Sequence, residues 1–387
     1  MKIVFLSWTA AYGGGEKHLV ELIERLDLSQ VQPVILCFGI DPYSRILNDR
    51  LKLGIDVETG LVRNSFFRTW SRIRKTKPDR VVFVTGVVGA FPWYTFLAAR
   101  LSGARHVYAI YHNFSGIPKA VPKTGNWLLY LARRAFGWRV RHLLGARIVA
   151  ALTYRSICVS ERLRERLIET FGFPRQRTFA VLNGVNLSSY SFPHPRAATL
   201  RLELGIQSDE VLIAVACRLV KDKGVDVLLR AMDLLRDEVP NLKCLIVGEG
   251  PCGEELRQLC TQLGLSSRVI FAGFQDDVRP YLQAADLHVT ASSPPLVECF
   301  GLSTLEAMAS GLPCIASNGG GVPELISDRE DGLLVTPGSV DELRAAIKRL
   351  ASDGAERKRL GERAREKVRE KFDLERCVKE LKEIVLQ

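Results

Sequence analysis

No two of the nine cysteines stand three residues apart, and their number is odd. Cys37, Cys158, Cys217, Cys244, Cys252, Cys260, Cys299, Cys314 and Cys377 lie mostly in apolar runs. That excludes a disulfide frame or a Cys-x-x-Cys zinc site and suits reduced core thiols of a cytosolic protein. Cys299 is read either as a reactive thiol or as a small buried filler. Asp-x-Asp is also missing, as is any His/Asp cluster at metal-ligand spacing, so no bound metal and no cofactor are expected. No short-period repeat or low-complexity tract interrupts the chain. At 47% hydrophobic and 25% charged residues the composition is that of a folded globular protein. The 387 residues leave room for two or three domains. A secretory leader is not expected either: the apolar run Lys2 to Ser7 is too short and leads directly into a glycine turn.

Charge is missing from one long stretch. Val81 to Ala99 holds nineteen uncharged residues, about the length that spans a bilayer. Gly86, Gly89 and Pro92 break it in the middle, so a buried strand (Val81–Val84), a turn and a helix from about Phe91 explain it better than a membrane span. Acidic residues are missing over a wider window. Between Arg80 and Ser160 stand eleven Lys or Arg and no Asp or Glu, which equals the whole net charge of +11. Its centre, Lys119 to Arg147, sets cations among Trp127, Leu128, Leu129, Tyr130, Leu131, Phe136 and Trp138. Such a mixture suits an anionic membrane surface or an anionic acceptor. A solvated basic helix is the plain alternative. Nucleic acid is not expected as a partner, since no recognised binding module accompanies the cations.

What is present is a regular alternation of apolar runs and amphipathic helical stretches. The first half reads as strand Lys2–Ser7, helix Glu16–Leu26, strand Pro33–Phe38 and helix Tyr43–Leu53. Strands near Arg80–Val84, Ala104–Ile110, Ser156–Val159 and Thr178–Leu182 follow, with Ser160 as the N-cap of a helix Glu161–Phe171. Ser188 to Pro195, with Pro193 and Pro195, has linker character. The rhythm restarts with strand Val211–Ala216, helix Val225–Asp237, strand Lys243–Val247 and helix Glu254–Leu263. Strands Val269–Ala272, Leu287–Thr290 and Pro313–Ala316 come next, then helix Val340–Ala351 and a charged helical tail. Two parallel, doubly wound α/β sheets are the expectation.

Glu298 and Glu306 stand eight apart at the entrance to a helical run, Leu302 to Ser310. Gly301 and the free amides of the first turn would form an anion-binding end. A carboxylate beside bound phosphate would be repelled, so the glutamates are better suited to accepting hydrogen bonds from hydroxyls. Phosphate on the helix end, a ribose diol on Glu306 and a sugar hydroxyl on Glu298 together describe a nucleotide sugar. The plain alternative is a solvated helix with an N-terminal Glu. Arg218 and Lys223 lie just beyond a strand, where open parallel sheets bind ligands. Two such cations can neutralise a diphosphate, each worth about 4 kcal/mol at about 4 Å and an effective dielectric near 20. Alone, either is also an ordinary surface charge. Gly248-Glu249-Gly250-Pro251-Cys252-Gly253 formally matches a dinucleotide fingerprint, but the acidic residue expected after a next strand is lacking.

These segments, with Arg218-Leu219-Val220-Lys221-Asp222-Lys223-Gly224, Val269-Ile270-Phe271-Ala272-Gly273-Phe274, Tyr281-Leu282-Gln283-Ala284-Ala285-Asp286 and Gly319-Gly320-Gly321-Val322-Pro323-Glu324, resemble the retaining glycosyltransferases of family 4. The resemblance is dense from Val211 to Gly338. It is thinner earlier, at Gly13-Gly14-Gly15-Glu16, His112 and Asn183-Gly184-Val185. It implies the GT-B fold, two Rossmann-like domains facing each other across a cleft. Residues 1–190 would form the acceptor-side domain and 191–365 the nucleotide-sugar domain, with 366–387 a helix crossing back to the first. It further implies retaining transfer of a sugar from a nucleotide diphosphate sugar, uridine being the expected base, to a hydroxyl acceptor.

By the same resemblance the catalytic residues would be Glu298, His112, Arg218 and Lys223. Donor contacts would come from Gly14, Gly15, Arg218, Lys223, Gly248, Glu298, Phe300, Gly301, Leu302 and Glu306. Gly248 would lie in the loop beneath the base, and His112 near the reacting sugar; Gly13 to Gly15 are otherwise a tight turn. The acceptor suited to the basic aromatic window is a lipid-linked or anionic glycan of envelope polysaccharide or glycolipid synthesis. The place of work is then the cytosol or the cytosolic face of a membrane. Asn186 stands where the family commonly has Asp, Pro294-Pro295 stiffen the loop before Glu298, and Cys217 replaces a common glycine. Two other readings stay open: a nucleotide-sugar epimerase or hydrolase of the same fold, and a non-catalytic nucleotide-sugar binder. His106, His142, His194 and His288 receive no role.

Overall fold

The computed structural model describes residues 1–7, 14–37, 56–58, 65–85, 93–112, 143–294 and 298–386. The expected helix Tyr43–Leu53, the first glycine of Gly13-Gly14-Gly15 and most of the window Lys119 to Arg147 lie outside them. Thirteen strands form two sheets among the described residues, every neighbouring pair parallel. The first holds β1 (Lys2–Ser7), β2 (Gln32–Cys37), β3 (Asp56–Glu58), β4 (Arg80–Thr85), β5 (His106–Tyr111), β6 (Arg155–Cys158) and β7 (Thr178–Ala180) in the order β3-β2-β1-β4-β5-β6-β7. The second holds β8 (Val211–Ala216), β9 (Leu242–Val247), β10 (Val269–Gly273), β11 (Leu287–Thr290), β12 (Cys314–Ser317) and β13 (Leu333–Val335) in the order β10-β9-β8-β11-β12-β13. Strands such as Val211-Leu-Ile-Ala-Val-Ala216 are apolar throughout and buried at every position, because helices cover both faces of a parallel sheet.

In each sheet the chain reverses its direction of growth once, between β1 and β4 and between β8 and β11. Loops leaving the C-terminal ends of such a strand pair part company and leave a crevice, the usual ligand position in open α/β sheets. The uncharged run of nineteen is divided as its glycines and proline suggest. Its first part is strand β4 and its last part a helix, Trp93–Leu101, with residues 86–92 between them outside the described set. Among the described residues no helix is long and apolar enough to cross a membrane.

The chain divides into two compact units, Met1–Leu182 with Val378–Gln387, and Asn183–Cys377. The seam thus falls eight residues before the expected end of the first domain, and Ser188 to Pro195 is no linker. Tyr190 is buried and its carbonyl accepts from Arg365 at 2.7 Å. Pro195 starts a helix, Pro195–Glu203, whose first turn is capped by His194 Nδ1 accepting from the Arg196 amide at 3.2 Å. Proline suits the first helical turn, where its missing N–H costs nothing. A parallel bridge, Val185 to Asp373, ties the start of the second unit to its end. The expected cap Ser160 does accept from the Leu163 amide, at 3.2 Å.

The last helix, Leu374–Leu386, finishes in the first unit. There the buried Arg80 guanidinium donates to the Val385 carbonyl and to the Tyr108 hydroxyl, and Arg155 donates to the Ile384 carbonyl at 3.0 Å. A helix C-terminus has carbonyls without intrahelical partners, and these two arginines satisfy them. Replacing Arg80 with Met should therefore free the last helix locally. Amide hydrogen exchange at residues 378–386 is expected to accelerate well beyond that of β8 and β9; equal protection in both proteins would contradict this docking.

Candidate functional site

The second unit gathers most of the expected site at its reversal point, just beyond β8 and β11. After β8 the chain makes a 3-10 turn, Lys221–Lys223, closed by Gly224 in the left-handed region at φ 62°. A Cβ on Gly224 would stand 1.9 Å from the Ala291 carbonyl oxygen, so only glycine lets this turn touch the loop leaving β11. The Ser293 amide completes the junction by donating to the Asp222 carbonyl at 3.0 Å.

Across that junction Lys223 Nζ forms an ion pair with Glu298 Oε1, and Ser292 Oγ donates to the same oxygen at 2.9 Å. The side chains of Lys223 and Glu298 are 30% and 16% exposed, open enough to be reached and enclosed enough for charge to count. Burial by itself would raise the Glu298 carboxyl, but the Lys223 ammonium and the Ser292 hydroxyl outweigh it and hold the group below the usual carboxylate range. Burial would likewise lower Lys223, and Glu298 outweighs it upward, so both stay charged near neutrality. Arg218 is exposed and close enough to press on Lys223 by like-charge repulsion. Lys223 thus has one carboxylate partner and a second cation near it. The Cys217 thiol beneath them is pushed up to about 12 by burial, which Lys223 only partly offsets, so it stays protonated.

The segment after Glu298 is anchored from both ends. The Glu298 carbonyl accepts from the Gly321 amide at 2.9 Å. Phe300 is buried and meets Phe372 edge to face, with centroids 5.9 Å apart. Gly301 at φ 98° then opens the helix Leu302–Ala309, whose N-terminus no side chain caps among the described residues. Its first amides are therefore available to an anion. Glu306 lies one turn in and is buried. A long helix, Gly354–Lys371, packs beside this one at Gly361, where a Cβ would come within 2.1 Å of the Gly311 carbonyl.

The other expected residues fall differently. The Gly248 amide donates to the Gly273 carbonyl at 2.7 Å, and a Cβ at Gly248 would stand 2.0 Å from the Cys217 carbonyl oxygen. Gly250 meets the Leu219 carbonyl oxygen in the same way, at 2.4 Å. The glycines of this fingerprint interlock two loops of one sheet, and the Gly248 N–H is not left over for a ligand. Gly14 and Gly15 open the helix Gly14–Glu24, and His112 follows β5 directly; these three belong to the first unit.

Sequence reasoning missed the support beneath the site. His288 on β11 is fully buried, with Nε2 3.0 Å from Thr290 Oγ1, and that oxygen lies 2.9 Å from Thr304 Oγ1 in the first turn of the Leu302–Ala309 helix. This chain of hydrogen bonds fixes the helix entrance to the strand. Its only sequence signal is polar residues in an otherwise apolar run, His288 and Thr290. Asp286 has a structural task as well: its carboxylate accepts from the Leu212 amide at 2.7 Å and from Arg201 at 3.0 Å.

Two family descriptions match the chain, Glycosyltransferase Family 4 over residues 12–189 and Glycosyl transferases group 1 over residues 197–367. The chain belongs to the group 1 glycosyltransferases. Among relatives, an uncharacterised glycosyltransferase of Methanocaldococcus jannaschii is 32% identical over 235 residues, 59% of either chain. The lipopolysaccharide core biosynthesis glycosyltransferase LpsE of Rhizobium meliloti is 34% identical over 175 residues, 45% of this chain and 49% of that one. The chain spans about half the length of the curated relatives it matches. Among solved structures, Anabaena HepE in complex with UDP-glucose superposes with a TM-score of 0.80 at 22% identity, covering 99% of this chain and 98% of that one. That likeness establishes the GT-B fold for this group 1 chain.

His288 also gives the site a pH signature. Burial pushes its imidazole down to about 4, against 6.5 for a free histidine. The unfolded chain therefore takes up this proton first as pH falls, and stability is lost between about pH 6.5 and 4. From pH 6.5 to 4.5 the loss assigned to this group is about 2 kcal/mol. Chemical denaturation of wild type and His288→Gln across that range should show a shallower dependence in the variant by this amount. Parallel curves would mean that His288 is not buried neutral.

Proposed function

We propose that this chain transfers a sugar from a nucleotide diphosphate sugar to a hydroxyl acceptor with retention of anomeric configuration. The observation that carries the reading is the charge arrangement around Lys223: a second cation in Arg218, a single carboxylate in Glu298, and an uncapped helix N-terminus at Gly301–Leu302. A diphosphate matches those features in sign and size. Lys223, Arg218 and the amides at Phe300 to Leu302 stabilise the leaving group. Glu298 accepts from a sugar hydroxyl, Glu306 from the ribose diol, and Gly14 and Gly15 approach the donor with backbone alone. The acceptor hydroxyl attacks the anomeric carbon on the face from which the diphosphate departs. The bond from that carbon to the phosphate oxygen breaks, and that oxygen takes the acceptor proton. His112 hydrogen-bonds at the reacting sugar.

A uridine base is favoured by the likeness to HepE, whose structures hold UDP and UDP-glucose. The likeness to LpsE favours a glycan acceptor of lipopolysaccharide type. A lipid-linked or anionic glycan at the cytosolic face of a membrane also suits the basic aromatic residues between Lys119 and Arg147. The direct test is a thermal-shift screen of nucleotide sugars followed by a transfer assay, since a ligand at about 100 times its Kd stabilises by about 2.7 kcal/mol. A chain that no nucleotide sugar stabilises would end the reading.

Two outcomes follow from the assigned roles. With Arg218 and Lys223 neutralising the diphosphate, turnover should persist in EDTA; loss of activity that magnesium or manganese restores would refute this. Glu306→Gln, remote from the bond that breaks, should raise the donor KM about tenfold or more and leave kcat within a few-fold. Steady-state kinetics with an unchanged KM and a collapsed kcat would sink the ribose assignment.

A further inference from the structure

Ser292 lies on the loop that leaves β11 and is 1% exposed. The backbone is held on both sides of it. Before it, the Ala291 carbonyl is pressed against Gly224; after it, the Ser293 amide donates to the Asp222 carbonyl at 3.0 Å. A side chain this short, on a backbone held at both flanks, keeps little freedom. Its Oγ donates to Glu298 Oε1 at 2.9 Å, and Lys223 Nζ donates to the same oxygen from the turn after β8. Among the described residues no group donates to the second oxygen, Oε2, and that oxygen is not sealed from solvent.

A second enclosed carboxylate of the same unit shows the contrast. Asp331 accepts from the Ser327 amide on Oδ1 and from Lys367 on Oδ2, each at 2.8 Å. Both of its oxygens are engaged within the fold, which is what a purely structural carboxylate needs. Glu298 instead receives both of its donors on one oxygen. It is gripped without losing acceptor capacity, because Oε2 keeps its lone pairs and a share of the negative charge. The two halves of the grip differ in what a ligand can do to them. Lys223 is a charge that a diphosphate attracts. Ser292 is neutral and buried, and its single proton is already committed to Oε1.

We propose that Ser292 is a positioning residue for the donor sugar. It holds Glu298 by one carboxylate oxygen so that the other, Oε2, receives a hydroxyl of the transferred sugar, and it keeps that hold when the diphosphate draws on Lys223. The two carboxylate oxygens are chemically alike, so what counts is that one is held and the other presented. Ser292 then governs affinity for the sugar and leaves affinity for the nucleotide alone nearly unchanged. This rests on the reading of Glu298 as the acceptor of a sugar hydroxyl.

The test is a double-mutant cycle read by isothermal titration of the full chain. The probes are UDP and whichever of UDP-glucose, UDP-galactose and UDP-N-acetylglucosamine wild type binds most tightly. The quantity compared is the Kd of the UDP-sugar divided by the Kd of UDP, which cancels changes in nucleotide binding. Ser292→Ala should raise that ratio about tenfold while the Kd of UDP stays within about threefold of wild type. Glu298→Ala should raise it at least as much, and adding Ser292→Ala to Glu298→Ala should then change it by less than about twofold. Melting temperatures near wild type for Ser292→Ala confirm that removing one oxygen leaves the fold intact. If Ser292→Ala leaves the ratio unchanged, or raises it equally in the absence of Glu298, the positioning role is overturned while the donor reading stands. If Glu298→Ala leaves the ratio unchanged, the sugar contact of Glu298 falls and this inference with it. If wild type binds none of the three UDP-sugars, the donor reading itself fails.

Discussion

The contact between the turn at Gly224 and the loop at Ala291 is the constraint on which the second unit's site depends. It joins the ends of β8 and β11, the two strands where the sheet reverses. Because no side chain fits between them, the backbone geometry there is over-determined. The contact places Lys223 against Glu298, residues 75 positions apart, and lets each charge hold the other in its ionised form. Neither would keep its charge as easily alone at that depth. An ammonium already gripped by one carboxylate, with Arg218 pressing from outside, is positioned before any ligand arrives. Preorganisation of this kind spares the reorganisation that a flexible lysine would otherwise incur.

The two units use their charges in different ways. In the second, acids outnumber cations by 29 to 24 over Asn183–Cys377 and pair with them, as in Lys367 with Asp331 or Arg344 and Lys348 with Glu238. In the first, several arginines replace acids as structural partners with carbonyls, which satisfies donors without cancelling charge. The field of that unit is therefore positive by construction. It favours anionic partners without reading any sequence or shape, so the chemistry of the partner must come from the apolar groups set among the cations.

Much of the architecture was legible because parallel strands buried on both faces leave runs such as Val211–Ala216, which nothing else explains. The three-residue strands β3 and β13 were not, since they are too short for any periodicity. Ser188 to Pro195 read as a linker for a physical reason: proline both ends chain segments and begins helices, and Pro195 does the second. At the site, Lys223, Glu298 and Gly301 could be named from local motifs. Their pairing could not, because it depends on a long-range strand adjacency. Gly248 was legible as a required glycine but not for its cause, the close crossing of the Cys217 carbonyl. The buried links from His288 through Thr290 to Thr304 lie on two elements and announce themselves in neither.

The ion pair makes one measurement decisive. If a diphosphate is held by Lys223 while Glu298 shares that ammonium, the two residues oppose each other in binding UDP. Isothermal titration of UDP should then give a Kd raised about tenfold or more by Lys223→Met and lowered about tenfold by Glu298→Gln. Transfer of sugar should be lost in both. Shifts of opposite sign are what the account predicts. A Kd unchanged by either substitution, or moved in the same direction by both, would contradict it.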